Sequence, residues 1–88
     1  MFEQVINVDR MEQTVSLFGS FDENIRLIES QYNVKVISRG SEIKVNGEAE
    51  NVSKAVRAIN GLLTLINRGE ALSEQNVRYV LSLVNEGN

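Results

Sequence analysis

The 88-residue sequence predicts an α+β domain with its elements in the order β-α-α-β-β-α-α. Three observations carry this reading. Three short runs are rich in β-branched residues, four stretches repeat apolar residues at spacings of three and four, and a Gly-Ser pair joins two of the β-prone runs.

The first run, Glu3-Gln4-Val5-Ile6-Asn7-Val8, reads as a strand because β-branched side chains suit a pleated, half-buried surface. Asp9 follows, with Glu12 three residues later, the form of a capping box. It opens a short helix over residues 10–18, with Met11, Val15 and Phe18 as the inward stripe. Residues 14–18 are also β-prone, so a strand is the rival reading there. Gly19 breaks the helix, and Ser20-x-x-Glu23 is a second candidate capping box. Phe21, Ile25, Ile28 and Tyr32 then form one stripe, with Leu27 on its flank, over a helix at 21–32. Asp22 and Glu23 complement the dipole in its first turn, and Asn33 stops it.

Residues 34–39 and 42–46 flank Gly40-Ser41, which predicts a hairpin with a type II′ turn. In that register Arg39 faces Glu42, Ser38 faces Ile43 and Val36 faces Val45. Val34, Val36, Ile43 and Val45 then share the core face; Arg39, Glu42, Lys44 and Ile37 share the other. After Gly47, the stripe Val52, Ala55, Val56, Ile59, Leu62, Leu63 and Ile66 predicts one long helix. Glu50 precedes Lys54 by four residues, in the favourable order. The stripe stays in phase across Asn60-Gly61, so the helix continues there, and Gly61 leaves room for a neighbouring element. Gly69 after Arg68 stops it. Ser73 caps a last helix that buries Val77, Val80, Leu81 and Val84 and ends at Gly87.

Composition excludes several kinds of chemistry. There is no Cys and no His, so Ser-His-Asp and Cys-His catalysis and thiolate or imidazole metal sites are absent. G-x-x-x-x-G-K-[S/T] and G-x-G-x-x-G are absent too. The acids are scattered, and capping or solvation accounts for Asp9, Glu12, Asp22 and Glu23. The net charge of −3 argues against strong autonomous nucleic-acid binding, which draws on Lys and Arg contacts to phosphate. No apolar run reaches the ~20 residues that span a bilayer, and no signal peptide is legible. The expectation is a cytoplasmic protein with no membrane partner, no catalytic residue and no bound metal.

One constellation stands out: Gly19-Ser20-Phe21-Asp22 between two helices. A glycine-opened loop there exposes backbone N–H groups at a positive helix end, where an anion can sit. The plainer reading is a tight turn with Ser20 as cap and Phe21 packed inward. Arg26 and Arg39 flank the loop in the first reading and are solvated charges in the second.

The order β-α-loop-α-β-β-α resembles a KH domain of the first type, here with an additional C-terminal helix. The resemblance implies a three-stranded sheet covered by helices on one face. A G-x-x-G loop between the first two helices clamps the backbone of a single nucleic-acid strand in that family. The matching positions are Gly19, Ser20, Phe21 and Asp22, with a carboxylate in place of the second glycine. Leu17-Phe18-Gly19-Ser20-Phe21-Asp22-Glu23-Asn24-Ile25-Arg26-Leu27-Ile28-Glu29 further resembles the N-terminal region of PhoH-like proteins. Ser38-Arg39-Gly40, Ile43-Lys44-Val45-Asn46-Gly47, Arg68-Gly69-Glu70 and Val77-Arg78-Tyr79 follow in the same order.

That second resemblance implies a single KH-like N-terminal domain over residues 1–88, set before a P-loop ATPase domain that this chain lacks. ATP and Mg are then expected only for that domain. It implies a cytoplasmic family linked to phosphate starvation and to work on RNA, including an association with an RNA-processing endonuclease. The leading expectation is an accessory, non-catalytic RNA-recognition domain that binds single-stranded RNA weakly. Gly19 would give backbone access, Ser20 and Asn24 hydrogen bonds, and Arg26 and Arg39 charge, beside Phe21 and Asp22. The alternative is a protein-interaction or assembly module of the same ATPase, for which an exposed strand edge is one route.

Overall fold

The computed structural model describes residues 1–87. Strands β1 (Phe2–Asn7), β2 (Lys35–Arg39) and β3 (Glu42–Gly47) form an antiparallel sheet in the order β1-β3-β2. Helices α1 (Met11–Phe18), α2 (Glu23–Tyr32), α3 (Ala49–Asn67) and α4 (Glu74–Asn85) complete the chain, with a 3-10 turn at Ser20–Asp22 between α1 and α2. This is the expected KH-like order with an added C-terminal helix. Residues 14–18 are helical and do not join the sheet.

The hairpin register is the one expected, with Arg39 opposite Glu42 and Val36 opposite Val45. Gly40 has φ 60° and Ser41 does not share a positive φ, as a type II′ turn requires. Ile6, Val36, Ile43 and Val45 are buried beneath the helices; Val5 and Ile37 stand on the open face. The helices therefore cover one side of the sheet only. α3 is the spine: Val52, Ala55, Ala58, Ile59 and Leu62 are wholly buried, and the helix runs unbroken through Gly61. A Cβ at Gly61 would lie 3.3 Å from Cγ1 of Val80, so the glycine does admit α4. Ser73 caps α4 by accepting from the Asn76 N–H at 3.2 Å.

Three expectations fail near the N-terminus. Asp9 and Glu12 do not form a capping box. Arg10 is the cap residue instead; its N–H donates to Oε1 of Gln13 at 3.3 Å, and Glu12 pairs with the exposed Arg10 side chain. The inward face of α1 carries Gln13 and Leu17, while Met11 and Val15 face solvent. Buried Gln13 is satisfied by donating to the Asn67 side chain on α3, a pairing that apolar periodicity cannot register. Likewise Ser20 makes no side-chain cap and Phe21 leaves the α2 stripe, because the 3-10 turn delays the helix until Glu23.

Tyr32 ties α2 to α4 by donating its buried hydroxyl to the Leu81 carbonyl at 2.9 Å. Burial raises its ionisation above the ordinary phenol value, outweighing the nearby Arg57 charge, which lowers it. The folded state thus holds the phenol proton more tightly than the unfolded chain. That stabilisation is complete below the unfolded value of about 10 and is lost as pH rises through the folded one. Thermal melts across alkaline pH should show this fall. Tyr32→Phe should remove Tyr32's share of it while costing about 1 kcal/mol at neutral pH. An unchanged alkaline profile in the variant would refute the assignment.

Candidate nucleic-acid interface

Gly19 closes α1 by donating its N–H to the Val15 carbonyl at 3.1 Å. Its φ of 74° and ψ of −173° lie where side-chain-bearing residues rarely go. The backbone then turns through Ser20 into two left-handed residues, Phe21 at φ 54° and Asp22 at φ 57°. The Asp22 N–H returns to the Gly19 carbonyl at 3.3 Å, which closes the loop. An aspartate tolerates this conformation better than most residues, because its short polar side chain can bond locally. The loop therefore has positive φ at both positions where the G-x-x-G pattern places glycine.

Asn24 props the loop from below. It is 3% exposed, and a Cβ on Gly19 would lie 2.8 Å from its Nδ2. The space freed by the glycine is thus filled by Asn24, which packs against the loop and, at 3% exposure, has little surface left for a ligand. Phe21 projects in the opposite sense, 91% exposed. The inward packing of Phe21, one of the two sequence readings, does not occur.

Arg26 lines a hollow of about 210 Å³ with Glu23, Asn24, Leu27 and Glu74. Glu74 is engaged by Arg78, which donates from Nε at 2.8 Å. Arg26 is therefore beside the loop but among carboxylates. Arg39 is elsewhere. It ends β2 at the hairpin turn, and Gly40 and Ser41 of that turn adjoin Val8, Arg10, Met11 and Thr14 around the start of α1. Eight helical residues, about 12 Å, separate that end of α1 from Gly19. Gly19, Ser20, Phe21, Asp22, Asn24 and Arg26 thus form one locus, and Arg39 lies apart from it.

Sequence reasoning missed Glu29. Its Oε2 accepts from the Val36 N–H at 2.9 Å and so spans from α2 to the edge of β2. Nothing in the local sequence separates this glutamate from an ordinary exposed helix acid. Among the described residues no three His, Cys, Asp or Glu side chains gather as a metal site, and no helix is long and apolar enough to cross a membrane.

No protein-family model matches the chain. A PhoH-like protein of Bacillus subtilis (strain 168) is 36% identical over 72 residues, which cover 82% of this chain and 23% of the relative. A PhoH-like protein of Mycobacterium leprae is 37% identical over 75 residues, 84% of this chain and 22% of the relative. One of Mycobacterium tuberculosis (strain H37Rv) is 36% identical over 75 residues, 84% and 21%. The chain spans about a fifth of the length of these relatives and matches their N-terminal segment. Among solved structures, Dim2p from Pyrococcus horikoshii OT3 superposes with a TM-score of 0.73 at 16% identity, over 92% of this chain and 48% of that one. A protein of unknown function from Aeropyrum pernix has a TM-score of 0.73 at 16% identity, over 97% and 47%. Likeness at this identity is one of fold.

Proposed function

The chain belongs to the PhoH-like family, matching its N-terminal segment, and on that premise we propose that it is an accessory domain that contacts single-stranded RNA through the Gly19–Asp22 loop. The observation that supports this most is the loop's backbone. Positive φ at Gly19 and at Asp22 is backbone that glycine adopts freely, and these are the two positions where the G-x-x-G pattern has glycine. Phe21 adds an exposed aromatic face on which an unpaired base can stack, and Arg26 adds a cation beside Glu23 and Asn24. Asn24 holds the loop in place. Binding is weak, because Asp22 and Glu23 oppose phosphate and the chain carries a net charge of −3. No residue of this chain is assigned to ATP or Mg; those belong to the ATPase domain proposed for the longer protein.

Titration of a labelled single-stranded RNA at low salt tests the reading. Phe21→Ala should weaken binding about tenfold, the scale of one base–aromatic stack. Arg26→Glu should weaken it further and flatten its salt dependence. No binding at any salt, or binding indifferent to both changes, would overturn the proposal.

A second reading rests on Met11 and Val15, which are 74% and 68% exposed along α1, the helix that leads into the loop. These suit a protein contact, with the ATPase domain or an RNA-processing endonuclease as partner. Loss of such a complex on Val15→Glu, with RNA binding intact, would favour it.

A further inference from the structure

We propose that β1 is a self-complementary sheet edge, through which two copies of this chain pair antiparallel about a two-fold axis at Val5 into one six-stranded sheet. The proposal is independent of the loop and of RNA.

The ladder decides which groups are free. The Val8 N–H donates to the Ser41 carbonyl at 2.8 Å, extending the β1–β3 register by one pair. Hydrogen-bonded pairs alternate along an antiparallel ladder, so Phe2, Gln4 and Ile6 direct their backbone groups to β3. The N–H and C=O of Glu3, Val5 and Asn7 therefore point outward from the sheet. The same alternation places the outward groups of β2 at Val36, which agrees with the Glu29 bond found there.

The two edges differ. β2 carries Lys35 and Arg39, and Glu29 occupies its Val36 N–H, devices that blunt an edge. β1 has the sequence FEQVIN, with Glu3 as its single charge and no Pro, Lys or Arg; it is paired to β3 along its whole length, and its residues Phe2 to Val5 are exposed. A six-residue edge whose single charge is one carboxylate is a template for another strand in any register that keeps that carboxylate from its own copy.

The occupant follows from charge and register. An axis at Glu3 would set two carboxylates face to face. An axis at Gln4 pairs Glu3 with Val5 and leaves Asn7 unmatched. An axis at Val5 pairs Glu3 of each copy with Asn7 of the other and Val5 with Val5, so all three outward residues find partners. On the open face, exposed Val5 then meets its own copy, continuing a row that runs through Lys44 to Ile37. An edge contact alone buries less than the ~1,200 Å² of a stable complex, so the pairing is a concentration-dependent equilibrium.

Sedimentation velocity of the 88-residue chain from micromolar to millimolar concentration, with amide exchange followed by NMR, tests it. The sedimentation coefficient should rise with concentration. The amides of Glu3, Val5 and Asn7 should gain protection in step, while that of Val36 should not. Val5→Pro removes one outward N–H and no bond to β3, and should raise the dissociation constant at least about tenfold. Val5→Glu guards against a folding defect: it faces Lys44 within its own chain but a like charge across the axis. It should leave the protein folded and monomeric. A monomer at every concentration, or a dimer that ignores both substitutions, would overturn the proposal.

Discussion

Gly19→Ala is expected to destabilise the domain by about 3 kcal/mol, the sum of two separate costs. The first is conformational. At φ 74° and ψ −173° a Cβ is strained whatever surrounds it, at about 1–3 kcal/mol. The second is steric. The new methyl would lie 2.8 Å from Nδ2 and 3.2 Å from Cγ of Asn24, which is buried and has little room to retreat. Domains are stable by only about 5–15 kcal/mol, and one of this size sits at the low end. Urea unfolding should show a lower midpoint with an unchanged slope. Asn24→Ala in the same chain should recover the steric share alone, since the strained φ remains. A loss under about 1 kcal/mol would mean the loop adopts another path.

Asp22→Gly is the reciprocal change and should act on binding. The left-handed backbone at φ 57° and ψ 26° favours glycine, but three effects offset the gain. Aspartate is among the residues that tolerate this region, its charge favours the α2 N-terminus, and glycine widens the unfolded ensemble. Stability should therefore move by less than about 1 kcal/mol. The effect on RNA is larger. A carboxylate about 6 Å from a phosphate is repelled by roughly 0.7 kcal/mol in water and 2.8 kcal/mol at an effective dielectric constant of 20. Removing it should tighten single-stranded RNA binding by about tenfold at low salt, with the gain fading as salt rises. Asp22→Asn removes the charge and keeps a side chain suited to the backbone, so it should yield most of the same gain. If neither change alters affinity, RNA does not approach the loop.

The two ends of this loop illustrate what was legible beforehand. Gly19 announced itself as a break in helical periodicity, and the structure ends α1 there. The outward turn of Phe21 was not legible. A stripe of apolar residues at helical spacing fits Phe21 as well as Ile25, and only the intervening 3-10 turn takes it out of phase. Likewise Met11, Val15 and Phe18 form a good stripe on paper, yet only Phe18 packs against the core. The face of α1 that turns inward is the one whose polar member, Gln13, has a partner on α3.

Element order, hairpin register, the unbroken α3 and the Ser73 cap were all legible in the amino-acid sequence. Each is local: side-chain period, turn chemistry and capping act within a few residues and need no distant partner. Packing across the fold settles which face of α1 is buried, that Asn24 fills the space at Gly19, that Arg39 stands away from the loop, and that Glu29 occupies the β2 edge. These depend on which groups meet across the fold. A buried polar atom takes whichever partner satisfies it, however far along the chain that partner lies.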